Sequence, residues 1–200
     1  MLGRLTPTPA RLAVAATLLT LVGTTVAADA AVEYPGPVDD YASYQGENGC
    51  RDRPMKGTKQ LAAWINKKFS GGTASASMRA CSSSTSEHQD GRAIDWTMDA
   101  AKEADRNEVD RFLTKLFAED ADAEAHALAR RMGIMYVIWN DHMYRAYGNP
   151  HFAKDAYDGC PGRKKCSKTL RHRDHVHISL SKPGGKAETT WYNRTTTPAP

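Results

Sequence analysis

Apolar residues recur at helical spacing in three stretches of the chain. Leu61, Trp64, Ile65 and Phe69 form one stripe of a helix predicted over Lys59–Phe69, with Thr58 placed to cap it and Gly71-Gly72 to stop it. Val109, Phe112, Leu113, Leu116 and Phe117 mark a second helix from about Asn107 to Ala118. A third is predicted from about Asp122 to Met132, ended by Gly133, the residue type best suited to a left-handed cap. The unbroken run Ile134-Met135-Tyr136-Val137-Ile138-Trp139 follows at once and has the length of a buried strand. Arg92–Thr97 and His175–Leu180 are two further short strands. Helices lying between strands that can pair antiparallel predict an α+β fold, a small antiparallel sheet with flanking helices. Residues 31–56 carry Pro35, Pro37, Pro54 and several tyrosines without periodicity, and read as an extended arm over the surface. Residues 57–192 then make one domain, and 193–200 a flexible Thr- and Pro-rich tail.

Composition narrows the class. The chain has 200 residues, 40% hydrophobic and 25% charged, the balance of an ordinary globular protein. A mean hydropathy of -0.58 excludes a multi-pass membrane protein. The net charge of +4 is too mild to imply nucleic acid, and no recognised nucleic-acid module accompanies it. At the N-terminus Arg4 and Arg11 precede the apolar run Leu12–Gly23 and then Ala28-Asp29-Ala30, the order of a secretory signal peptide over residues 1–30. The apolar stretch is shorter than the roughly 20 residues of a spanning helix and is diluted by Thr and Gly. Cleavage there removes Arg4, Arg11 and Asp29, lowers the net charge to +3 and leaves no membrane segment. Outside the cytoplasm, Cys50, Cys81, Cys160 and Cys166 read as two disulfides. Three pairings are open; the expected one is Cys50–Cys81 with Cys160–Cys166. The rival thiol site, C-x5-C-x5-H-x2-H through His172 and His175, fits no zinc-finger spacing.

The chemistry gathers in two segments. Ser86-Glu87-His88-Gln89-Asp90-Gly91-Arg92-Ala93-Ile94-Asp95 sets a His and an Asp seven apart with Gly91 between them, so a sharp turn can bring both together. Asp174-His175-Val176-His177 puts two His on one face of a strand. Two His and one carboxylate make a zinc set of catalytic type, with a fourth position for a water whose pKa falls towards about 7.

Ser86-x-His88-x-x-Gly91-x-Ala93-x-Asp95 resembles, position for position, the S-x-H-x-x-G-x-A-x-D motif of D-Ala-D-Ala-type metallopeptidases. Asp174-His175-Val176-His177 is similar to their second motif combined with the H-x-H of a wider group. That group takes in lysostaphin-like endopeptidases, vancomycin-resistance dipeptidases, phage L-alanyl-D-glutamate endolysins and the Hedgehog signalling domain. Residues 45–192 also resemble a secreted actinobacterial domain. The resemblance implies a Hedgehog/DD-peptidase-like fold and a Zn2+ ion on His88, Asp95 and His177. It makes Asp174 the general base, His175 the residue that orients water or steadies the oxyanion, and Ser86 a hydrogen-bond partner behind the ligands.

In the peptidases an Arg upstream of the motif polarises the substrate carbonyl after an intervening helix. Here Arg79 lies six residues before Thr85, with no room for that helix, and Arg92 inside the motif is the other candidate for the carbonyl or a substrate carboxylate. The base is Asp rather than the Glu of the dipeptidases. Trp139, leading from a strand into a loop, is a candidate cleft wall, whereas His126, His142, His151 and His172 read as solvated or structural.

The expected function is a secreted, cell-wall-associated zinc peptidase acting on peptidoglycan stem peptides or cross-bridges. The alternative is a non-catalytic zinc-containing module that binds wall peptides or an anionic polymer. The basic run Arg163, Lys164, Lys165, Lys168, Arg171 and Arg173 suits an anionic wall polymer, or is simply a solvated disulfide loop.

Overall fold

A computed structural model of the chain describes residues 32–81, 86–162 and 165–196. The expected signal peptide, Arg163, Lys164 and the end of the expected tail lie outside the described residues. In chain order the elements are β1 (Val32–Glu33), α1 (Lys56–Lys68), β2 (Ala74–Ser75), β3 (Ala93–Thr97), α2 (Glu103–Phe117), α3 (Ala127–Met132), β4 (Ile134–Trp139), β5 (His142–Arg145), β6 (Asp155–Ala156), β7 (His175–Leu180), α4 (Lys182–Lys186), a 3-10 turn (Thr190–Asn193) and β8 (Thr195–Thr196). Six strands form one antiparallel sheet in the order β2-β3-β7-β4-β5-β6, and β1 pairs with β8 apart from it. The fold is α+β, as the pattern predicts.

Alternation along the central strands gives the sheet two unlike faces. Ile94 and Trp96 of β3, Val137 and Trp139 of β4 and Val176, Ile178 and Leu180 of β7 share one core with Leu61 and Ile65 of α1 and Val109, Phe112 and Leu116 of α2. Each such side chain, removed from water, contributes about 1.5–3 kcal/mol. The intervening residues Asp95, His175, His177 and Ser179 turn to the opposite face.

β4 and β7 occupy the predicted residues, and Gly133 ends α3 at φ +68°. Elsewhere the local chemistry departs from the prediction. α1 begins at Lys56 behind Met55, and Thr58 is not its cap: buried in the first turn, its hydroxyl donates to the Gly91 carbonyl at 2.8 Å. α2 starts at Glu103, where Glu103 and Asp105 suit the positive end of the helix. α3 is short because the Asp120 carboxylate accepts from the amides of Asp122 and Glu124 and holds them in a turn, a local bond that competes with helix.

The arm is pinned by polar contacts. Arg130 Nε donates to the Asp39 carbonyl at 2.8 Å, and the Lys182 amide donates to Gln45 Oε1 at 2.7 Å. Both expected disulfides form, Cys50–Cys81 with Cα atoms 5.8 Å apart and Cys160–Cys166 at 6.2 Å. Such bonds fit an oxidising, extracellular compartment. Among the described residues no helix is long and apolar enough to cross a membrane.

Candidate metal centre

The turn Glu87–Gly91 carries His88 back over β3. It closes through the Arg92 amide on the Glu87 carbonyl at 2.9 Å. Gly91 takes φ +72°, and a Cβ there would lie 2.9 Å from the Arg53 carbonyl oxygen, so both the backbone angle and the space call for glycine. Asp95 on β3 pairs directly with His177 on β7. Three ligand atoms thereby converge: His88 Nε2, Asp95 Oδ1 and His177 Nδ1 lie 3.2 Å from one another on every side of the triangle.

That spacing fits a metal ion. Zinc bonds of about 2.0–2.1 Å at the tetrahedral angle place ligand atoms about 3.3–3.4 Å apart. Both imidazoles are buried, whereas the Asp95 side chain is 27% exposed, which leaves one side of the triangle open to a fourth ligand. The group can hold a metal ion.

Each ligand is oriented from behind. His88 Nδ1 lies 2.9 Å from the Ser77 carbonyl oxygen, which can only accept, so Nδ1 carries the proton and Nε2 offers its lone pair. The Ser77 hydroxyl donates to Asp95 Oδ2 at 3.1 Å and leaves Oδ1 for the cluster. His177 Nε2 meets the Ser179 hydroxyl at 2.9 Å. Burial would raise the Asp95 carboxyl, but hydrogen bonds with His177 and His88 outweigh it and hold it well below the usual carboxylate range. Burial pushes His177 below its ordinary value, with Asp95 pulling the other way, so the imidazole stays neutral as a ligand must.

Beside the triangle, His175 Nδ1 and Asp174 Oδ1 are 2.7 Å apart, and Thr169 donates to Asp174 Oδ2 at 2.5 Å. His175 Nε2 then faces Asp95 Oδ1 at 3.7 Å. Burial would raise Asp174, and the bonds from Thr169 and His175 bring it below its ordinary value. Ser86 Oγ accepts from the His88 amide at 3.4 Å, so it braces the turn rather than the ring. Arg79 is exposed and close enough to Tyr157 to draw that phenol's pKa down against burial; Tyr157 in turn packs edge-on against His172 at 4.9 Å.

Two sequence expectations are corrected. Arg92 does not face substrate: it is fully buried, with Nε on Asp90 Oδ2 at 3.0 Å and its two terminal nitrogens on the carbonyls of Leu180 and Gln45. Trp139 is not a cleft wall, because strand alternation places it with Val137 in the main core at 4% exposure. The basic run is largely engaged within the fold: Lys168 pairs with Asp99 at 2.7 Å, and Arg171 binds Asp141 with two 2.7 Å hydrogen bonds.

Ser77 and His172 escape sequence reasoning. Ser77 lies on an irregular stretch far from both motifs. His172, read as solvated or structural, belongs to the site, its ring 4.8 Å from His175 and 5.7 Å from His177. Burial first, then those two imidazoles, pushes its pKa down to about 3. Three histidines within six residues were the available signal.

The family described as VldE, C-terminal domain, matches residues 50–160, a span that includes His88 and Asp95. No curated protein and no solved structure matches the chain.

Proposed function

The chain belongs to the VldE C-terminal domain family, and on that footing we propose that it is a secreted, zinc-dependent peptidase acting on peptidoglycan stem peptides or cross-bridges. The observation that carries this reading is the triangle of His88, Asp95 and His177 atoms, 3.2 Å on each side and open on one. Two imidazole nitrogens and one carboxylate oxygen suit Zn2+. When bound, zinc supplies Lewis acidity, polarising an amide carbonyl and bringing a water's pKa to about 7.

The chain's own groups handle the protons. Asp174 accepts from His175 Nδ1, which leaves Nε2, the atom nearer the cluster, to take a proton from an attacking water and deliver it to the departing amine. The amide C–N bond breaks, giving a carboxylate and an amine. In this arrangement Asp174, the base by family resemblance, acts through His175. Arg79, exposed beside Tyr157, offers a guanidinium to the substrate carbonyl or carboxylate. The peptidoglycan assignment rests on the S-x-H-x-x-G-x-A-x-D resemblance and on two disulfides suited to an extracellular protein.

Metal analysis and mass spectrometry of digested peptidoglycan test the reading together. Wild-type protein is expected to hold one zinc and release peptide fragments; His88→Ala loses both. Asp174→Ala keeps zinc and loses at least about 100-fold in cleavage rate, the lower end of general acid–base contributions. Zinc without cleavage in the wild type favours the wall-binding module; no zinc rejects the metal centre.

A further inference from the structure

Behind His177 runs a buried chain of polar groups that the proposed reaction does not use. Tyr136 donates to Glu87 Oε2 at 2.7 Å, and Glu87 is only 7% exposed. Ser179 pairs with Tyr136 across β4 and β7 and donates its hydroxyl proton to the Tyr136 oxygen. The Tyr136 ring also stacks on His177, centroids 5.6 Å apart and planes within 23°. A register shift between Ile134 and Tyr136 turns this tyrosine to the site face.

We infer that Glu87, Tyr136 and Ser179 form an outer relay that fixes His177 as an Nδ1 ligand and balances the charge of the ion, an inference that rests on the metal-centre reading above. Counting protons makes the direction of the chain unique. Tyr136 has one proton and gives it to Glu87; Ser179 has one and gives it to Tyr136. The Ser179 oxygen therefore accepts from His177 Nε2–H, and Nδ1 is left with its lone pair towards His88 Nε2 and Asp95 Oδ1. A metal-bound imidazole is generally held in this way by a partner on its other nitrogen.

Charge gives the second reason. Two neutral imidazoles and the Asp95 carboxylate leave a divalent ion with one uncompensated positive charge. Among the described residues no Lys or Arg pairs with Glu87, so its carboxylate is a buried anion whose counter-charge is the ion itself. Burying such an anion without a cation destabilises the metal-free fold. Glu87 is thus a positioning residue that favours the occupied state over the empty one.

The test sets two measurements against each other. In Glu87→Gln the amide oxygen still accepts from Tyr136, but the charge is gone. Zinc affinity, read by chelator competition, is expected to fall about 10- to 100-fold, while the metal-free protein melts no lower than wild type. A purely structural Glu87 predicts the reverse, a lower metal-free melting temperature with unchanged affinity, and that result overturns the proposal. Ser179→Ala interrupts the same chain by one oxygen and is expected to weaken zinc similarly. The double variant should be no worse than the weaker single, because both act through one path; additive losses reject the relay. Should Glu87→Gln fail to fold, Ser179→Ala decides alone, and affinity within twofold of wild type rejects the relay. A wild type that binds no zinc fails earlier and rejects the metal centre itself.

Discussion

His88 and His177 in the metal cluster, and His126 and His151 around Tyr41, are two pairs of imidazoles on one small fold with opposite surroundings. In the first pair the outer nitrogens are engaged from behind, and the inner ones meet a carboxylate oxygen at 3.2 Å. In the second, Tyr41 lies flat on His151 at 3.7 Å and its hydroxyl meets His126 Nδ1 at 2.9 Å, with the Arg130 guanidinium over the same ring. An arginine above the cluster repels a cation, whereas Asp95 attracts one. The same side chain is a metal ligand or a flat packing surface according to what holds its second nitrogen and which charge stands beside it.

Adding zinc separates the pairs most strongly. At about 100 times its dissociation constant zinc should stabilise the wild type by about 2.7 kcal/mol, and a chelator should remove that gain. His126→Gln should keep the response in thermal melts and His88→Ala should lose it. A response surviving in His88→Ala would place the metal elsewhere. A comparable effect, unconnected with metal, is expected from Tyr41→Ala. Loss of the ring that docks the arm should cost about 1–3 kcal/mol in denaturant unfolding with zinc content unchanged.

The smallest effect is a pH dependence confined to the second pair. Burial, then His151 and Arg130, lowers the pKa of His126. A depressed histidine contributes stability above its unfolded pKa of about 6.5, and that contribution is lost as pH falls towards the folded value, because the unfolded chain takes up the proton first. Urea unfolding of the metal-free protein at pH 7.5 and 5.5 should show a smaller acid loss in His126→Gln than in the wild type. Equal losses would remove His126 as a source of acid sensitivity.

Much of the core face was legible in the sequence, since the run Ile134–Trp139 and the alternation in His175–Leu180 leave few ways to bury so many apolar side chains. The site face was legible where two motifs converge through Gly91, and less so where support comes from afar. Trp139 and Arg92 were misplaced for one reason: side-chain type suggested substrate contact, while position on or beside a buried strand decided otherwise. β5 was missed although Asn140-Asp141, both at positive φ, form the two-residue turn that starts a hairpin. The Asp120 turn that shortens α3 was missed because helical spacing of apolar residues says nothing about a carboxylate bonding to amides two and four positions ahead.

The Cys50–Cys81 bond has a consequence for timing. It tethers the arm to the segment whose Ser77 aims both His88 and Asp95, while Gln89, one residue past His88, bonds the Arg51 amide on one side and the Ala80 carbonyl on the other. Closing that bond is thus a late step in assembling the hydrolytic centre, over and above any gain in fold stability. A chain still in reducing surroundings has its sheet but not the tether that steadies its ligands, so proteolytic competence is acquired on export and a copy retained inside the cell stays harmless.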